Sequence, residues 1–172
     1  KQSPNFRFVF WTDIHLEASK VARKKFLATI EETNRIRPAF VLCQGDICLQ
    51  GKVGGLYQEC LTHLKVPIRN GPGNHEMILS APQPREAFEE LFGPTYYSFQ
   101  WAGVHFVVLD GNWVRPGRKG WQAVEGRLSE RELAWLRADL AAKPEGMPVI
   151  CGIHIPLLTT YTQRRPFLSK GA

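Results

Sequence analysis

The chain has 172 residues, 44% hydrophobic and 22% charged, which suits one globular domain with a buried core. No apolar run approaches the ~20 residues of a membrane span, and no repeat or low-complexity tract occurs. The formal charge of +6 would suit an anionic partner, nucleic acid included, but Lys24-Lys25, the Arg115, Arg118, Lys119 group and Arg164-Arg165 are short, scattered and form no aromatic-interleaved basic stripe.

Phe6 to Trp11 is β-branched and aromatic, and predicts a strand stopping at Thr12-Asp13. Ser19 then caps a helix running to about Arg37, with Ala22, Phe26, Ile30 and Ile36 near one face and Pro38 ending it. Phe40 to Cys43 is the next strand. A strand–helix–strand unit predicts a parallel pair with a right-handed crossover. Leu56, Cys60 and Leu64 mark a shorter helix, and Val66 to Arg69 a third strand leading into Asn70-Gly71-Pro72-Gly73-Asn74-His75-Glu76.

A helix from Glu86 to Phe92 follows, closed by Gly93-Pro94. Tyr96 to Gln100 and Val104 to Leu109 predict a hairpin turning near Ala102-Gly103. The segment from Gly111 to Gly126 reads as a surface excursion. Ser129 and Glu132 form a capping box for a helix carrying Leu133, Leu136 and Leu140. The last strand, Val149 to Ile153, delivers His154. The order predicts a single α/β domain over residues 1–172, layered around mixed sheets.

Four cysteines without a CxxC pair argue against a zinc knuckle or thioredoxin-type site, and Cys43 and Cys151 read as buried small hydrophobes. The chain begins at Lys1 without an apolar leader, so the expectation is that an N-terminal segment was removed. The compartment, cytoplasmic or exported, stays open.

Each predicted strand end delivers a polar, metal-competent group. Asp13 and His15 follow the first strand, Asp46 the second, Asn74-His75-Glu76 the third and His154 the last. In an open α/β sheet, ligand sites gather at the carboxyl ends of strands. Asp13 and His15 are two apart, so extended backbone would point both the same way with Ile14 toward the core. Gly45 and Gly73 would let the backbone approach closely beside Asp46 and Asn74. Mixed carboxylate, imidazole and amide donors suit Mn, Fe or Zn better than calcium. Asp110 reads as a turn cap, Glu76 as support for the turn or a neighbouring ligand, and His63 and His105 as packing residues.

The series Asp13-x-His15, Gly45-Asp46, Gly73-Asn74-His75-Glu76 and His154-Ile155-Pro156-Leu157 resembles the calcineurin-like metallophosphoesterase superfamily, in the flavour of bacterial class III cyclic-nucleotide phosphodiesterases. The resemblance implies an α/β/β/α sandwich and a centre of two metal ions. In it Asp13 and His15 bind the first metal, Asp46 bridges, Asn74 and His154 bind the second, and His75 faces the substrate. It implies a metal-dependent phosphodiesterase acting on a small, cyclic nucleotide-like phosphate ester by attack of a metal-bridging hydroxide. The alternatives are a non-catalytic binding or scaffold module with an incomplete metal site, and a nuclease on the same fold.

Two departures from the family pattern stand out. No Gly-His-x-His motif follows His154, so the expectation is that the final strands are missing and hydrophobic surface is left exposed. Many relatives read GDxxD, and Leu49 stands where the second carboxylate would orient His75, so either another group tunes that imidazole as a general acid or it acts as a neutral hydrogen-bond donor. Arg115, Arg118, Trp113 and Trp121 are candidates for a substrate rim, and Arg164-Arg165 for a phosphate contact.

Overall fold

The computed structural model describes residues 5–48, 54–79, 84–117 and 123–156. Leu49, Arg118, Trp121 and Arg164-Arg165 lie outside the described residues. The first three strands, β1 (Val9–Trp11), β2 (Val41–Gln44) and β3 (Ile68–Gly71), form a parallel sheet in that order. Between them run α1 (Lys20–Ile36) and α2 (Gly54–Leu61). The second sheet is mixed: β4 (Tyr97–Trp101) pairs antiparallel with β5 (Val104–Val108), and β8 (Val149–Gly152) lies parallel on β5's other side. The hairpin turns at Ala102 and Gly103, both at positive φ, as a tight two-residue loop requires.

The alternation of β2 and its preceding residue builds the layers. Val41 and Cys43 face α1 and α2, where they pack with Phe26, Ile30, Tyr57 and Cys60. Phe40 and Leu42 face the other way, into a second cluster with Phe106 and Val108 of β5. A strand buried on both faces explains why this segment is apolar throughout rather than alternating. Phe40 stacks on Phe8 at 5.3 Å and meets the edges of Phe99 and Phe106 at 5.3 and 5.1 Å. This ring cluster joins the two sheets, and Phe40→Ala should cost about 3–5 kcal/mol.

Helix α5 (Glu130–Ala142) covers the outer face of the second sheet. Asp139 accepts from Ser98 Oγ at 2.5 Å and meets His105 Nε2 at 2.6 Å, and Trp135 packs on Tyr96. Helices, two sheets and a helix thus stack as the α/β/β/α order expected. Ser19 caps α1 by accepting from Ala22 N–H, and Ser129 caps α5 by accepting from Glu132 N–H.

Several local expectations are corrected. The inner face of α1 uses Thr33, whose hydroxyl donates to the Thr29 carbonyl, while Ile36 is exposed because the chain leaves the helix at Arg37 in the left-handed region. Cys151 is exposed rather than buried, since β8 is the outer strand of its sheet among the described residues. The segment after Gly111 is no loose excursion: β6 (Asn112–Val114) and β7 (Val124–Gly126) pair antiparallel, and Asn112 and Val124 are buried. Asn74-His75-Glu76 opens a short helix, α3 (Asn74–Leu79), before α4 (Pro84–Phe92). Phe10 on β1 and Ile150 on β8, the outer strands of their sheets among the described residues, are exposed apolar residues.

Candidate metal centre

The chain leaves β1 and β2 side by side. Beyond the strands the two loops remain zipped, with Asp13 N–H donating to Gly45 O, His15 N–H to Asp46 O and Leu16 N–H to Ile47 O. Asp13, His15 and Asp46 all sit at φ near +50°, the left-handed region that non-glycine residues rarely occupy. The extended backbone expected at Asp13-Ile14-His15 is therefore replaced by two left-handed residues. The outcome for the side chains is the same convergence, with His15 Nε2 at 3.5 Å from Asp13 Oδ1 and Ile14 packed on the core. Strained backbone persists where its surroundings over-determine it, and such residues cluster at functional sites.

The Asp46 loop and the Asn74 turn touch back to back. A Cβ on Gly45 would lie 2.3 Å from Gly73 N, and one on Gly73 would lie 2.3 Å from Asp46 N, so neither position admits a side chain. Glu76 holds the contact together. Its buried carboxylate accepts from Asp46 and Gly73 N–H on one oxygen and from Ile47 and Cys48 N–H on the other. Burial pushes its pKa up, while the Gly73, Cys48 and Ile47 N–H groups oppose the rise. Glu76 thus supports the loop, as its place beside Asn74 and His75 suggested.

Around Asp46 the other predicted side chains gather. His15 Nε2 and His75 Nε2 each lie 3.6 Å from Asp46 Oδ2, and His154 Nε2 lies 3.4 Å from Oδ1. His154 Nε2 is also 3.1 Å from Asn74 Oδ1. All six residues singled out from the sequence are therefore in one place. Two donor groups emerge, His15 with Asp46 and His75, and Asp13 with Asp46 and His154, with the donor atoms of each within 4.8 Å of one another. Asp46 is common to both.

The donors fit metal ions. Metal–ligand bonds of about 2.1 Å put neighbouring donors roughly 3.0–3.4 Å apart, close to the separations found here. His154 turns its Nδ1 to the Gln44 carbonyl at 3.0 Å, which fixes the tautomer and leaves Nε2 facing Asp46. His75 donates its main-chain N–H to Asp46 Oδ1 at 2.9 Å, and its ring meets His15 edge-on at 4.7 Å.

The charges of the cluster are coupled. Burial works to raise the Asp46 pKa, but the His154 hydrogen bond and charge, with the His75 N–H, outweigh it and hold the carboxyl below its ordinary value. Burial lowers the His75 pKa, against the pull of Asp46. For His154, desolvation is again the largest influence, yet the Asp46 hydrogen bond and charge raise its pKa.

Of the lesser candidates, Asp110 does cap a turn, accepting the Asn112 N–H, and also pairs with Arg85 Nε at 2.8 Å. His105 packs against Asp139, whereas His63 is exposed after α2. Arg115 pairs with Glu125, and Arg127 lies over Trp113 at 5.3 Å, so these residues stabilise the β6–β7 hairpin. Sequence reasoning missed Asn112, whose amide donates to the Pro72 carbonyl at 3.2 Å and so pins the Asn74 turn from the β6–β7 hairpin. It also missed Gln44, although a glutamine inside an apolar strand was itself a signal.

Comparison with known proteins bears on what this arrangement is. The family model for the calcineurin-like phosphoesterase domain matches residues 6–169. No curated protein matches the chain. Similar folds occur in a dimetal phosphatase from Danio rerio (TM-score 0.65, 16% identity, 90% of this chain and 71% of that one). They occur also in a purple acid phosphatase from yellow lupin (Lupinus luteus) seeds (0.58, 15%, 87% and 30%). A third is the phosphopantetheinyl hydrolase from Mycobacterium tuberculosis (0.54, 12%, 88% and 69%). At these identities the likeness is one of fold. The family match spans nearly the whole chain, and with it the chain belongs to the calcineurin-like phosphoesterases, a family of metal-dependent phosphoester hydrolases.

Proposed function

We propose that residues 1–172 belong to one catalytic domain that hydrolyses a small phosphodiester, of cyclic nucleotide-like size, with two divalent or trivalent metal ions of the Mn, Fe or Zn type. The observation that carries the reading is Asp46, a buried carboxylate common to both donor groups, with one oxygen toward His154 and the other toward His15 and His75. In this reading Asp13 and His15, 3.5 Å apart, would hold the first ion and Asn74 and His154, 3.1 Å apart, the second, with Asp46 shared. The donor groups also set Asp13 beside His154 and His75 beside His15, and the reading gives His75 to the substrate instead. The printed names "dimetal phosphatase" and "purple acid phosphatase" of similar folds support a dinuclear centre.

Bound there, two cations supply Lewis acidity toward phosphoryl oxygens and lower the pKa of water, making a nucleophile available near neutral pH. The chain's own residues do the positioning. Glu76 and the Gly45–Gly73 contact hold the two loops against one another, which would preorganise the donors they carry. In this reading His75 would hydrogen-bond a phosphoryl oxygen or give a proton to the leaving oxygen, and its ring beside Asp46 and His15 supports a role at the centre. Asn74 offers a neutral oxygen donor, adding no charge to a site already holding Asp13 and Asp46.

The test compares a nitrophenyl phosphodiester with a nitrophenyl phosphomonoester, using the full-length protein loaded with Mn(II). Faster turnover of the diester supports the reading. Preference for the monoester would refute the diesterase part, and turnover of neither with two metals bound would refute the enzyme.

A further inference from the structure

We propose that Gln44 is a positioning residue for the metal centre: its buried amide sets where His154 stands against Asp46. The inference rests on the two-metal reading above. Asp13, His15, Asp46, Asn74 and His75 all follow strands of the first sheet, whereas His154 follows β8 of the second. The 3.4 Å approach of His154 to Asp46 and the 3.1 Å approach to Asn74 therefore depend on how the two sheets dock.

Gln44 closes β2, is fully buried, and crosses that seam twice. Its Nε2 donates to the Leu109 carbonyl just past β5 at 3.2 Å, and its main-chain carbonyl accepts from His154 Nδ1 at 3.0 Å. Glycines on two sides make room for the side chain. A Cβ on Gly71 would lie 2.4 Å from Nε2, and one on Gly152 would lie 2.6 Å from Oε1. Among the described residues, Oε1 has no hydrogen-bond partner.

A packed apolar side chain would avoid this amide's desolvation, and side chains at 71 and 152 would add contacts. What the amide supplies instead is a direct tie between β2 and the second sheet, two residues before Asp46 and at the carbonyl that fixes the His154 tautomer. The partner beyond a metal-binding imidazole commonly governs metal affinity by 10–100-fold. Gln44 acts on that partner by holding its carbonyl in register with His154.

The test uses Gln44→Met, which keeps the volume and removes the donor. Full-length wild type and variant are stripped with chelator and titrated with Mn(II), free ion being read by electron paramagnetic resonance. Wild type should bind two ions, and the variant should bind one of them at least about tenfold more weakly while the other changes less than about twofold. Equal weakening of both would show a merely structural role and overturn the inference, as would unchanged affinities. Fewer than two ions on wild type would instead refute the two-metal reading, and the inference with it.

A second measurement needs no metal. Gly152→Ala should lower urea stability in wild type and lose most of that penalty in the Gln44→Ala background, where the 2.6 Å contact is gone. An equal penalty in both backgrounds would overturn the assigned geometry, even if Gln44→Met did not fold.

Discussion

Replacing Glu76 by glutamine tests whether one buried carboxylate holds the two central loops together. The side chain is buried, and each oxygen serves two main-chain donors, Ile47 and Cys48 at 2.8 and 3.2 Å, Asp46 and Gly73 at 2.9 and 2.7 Å. Glutamine is nearly isosteric but keeps one acceptor oxygen, so two N–H groups lose their partner and face an amide that also donates. Hydrogen bonds to a charged group contribute about 1.5–3 kcal/mol each, giving roughly 3–6 kcal/mol for the two lost. Against this, the neutral amide avoids the desolvation that raises the Glu76 pKa. The net expectation is a loss of about 2–4 kcal/mol, a sizeable share of a typical total of roughly 5–15 kcal/mol. Urea unfolding of the full-length protein at pH 7, in chelator so that metal binding does not contribute, measures it. Glu76→Ala, which strands all four donors, should lose more. A Glu76→Gln loss below about 0.5 kcal/mol, with unchanged m-value, would refute the assignment of these bonds.

Four further outcomes follow from the same geometry. Asp46→Asn should deplete both metals, measured by metal analysis, because Asp46 stands in both donor groups. His75→Ala should cut turnover by about 10²–10⁴ with metal content nearly intact; loss of metal would make His75 a ligand instead. Chelation should lower the thermal midpoint, and Mn(II) at about 100 times its Kd should restore roughly 2.7 kcal/mol if metal binds only the folded chain. Glu132, buried and beside Asp110, has its pKa raised chiefly by desolvation, against the Asp110 N–H it accepts. A raised carboxyl binds more protons folded than unfolded, so stability should fall as pH rises above the ordinary value of 4.5 toward the folded pKa. Glu132→Gln should flatten that part of the stability–pH curve; an unchanged slope would remove Glu132 as its source.

What the sequence by itself determined is most of the local elements and which polar side chains would gather at the strand ends. Ser19 and Ser129 announce helix starts because an N-cap is a local bond to the following turn. Asp13, His15, Asp46, Asn74, His75 and His154 were legible because each follows a strand, and strand ends of such sheets share one edge. Glu76 was legible as support from its place in the same turn. Elsewhere local reading misled. Ile36 and Thr33 exchange roles on α1, and Asn112 and Val124 of the β6–β7 hairpin are buried, because these depend on what packs nearby.

Tertiary structure alone decided the rest. The left-handed backbone at Asp13, His15 and Asp46 exists because two parallel loops zip together, a pairing between residues some thirty positions apart. The three donors of the Asp46 loop that meet Glu76, the Asn112 tie to Pro72 and the Gln44 tie to Leu109 likewise join distant segments. Residue type and spacing announce a metal site, but the distances on which its chemistry depends belong to the docking of two sheets, and no single stretch of chain encodes that.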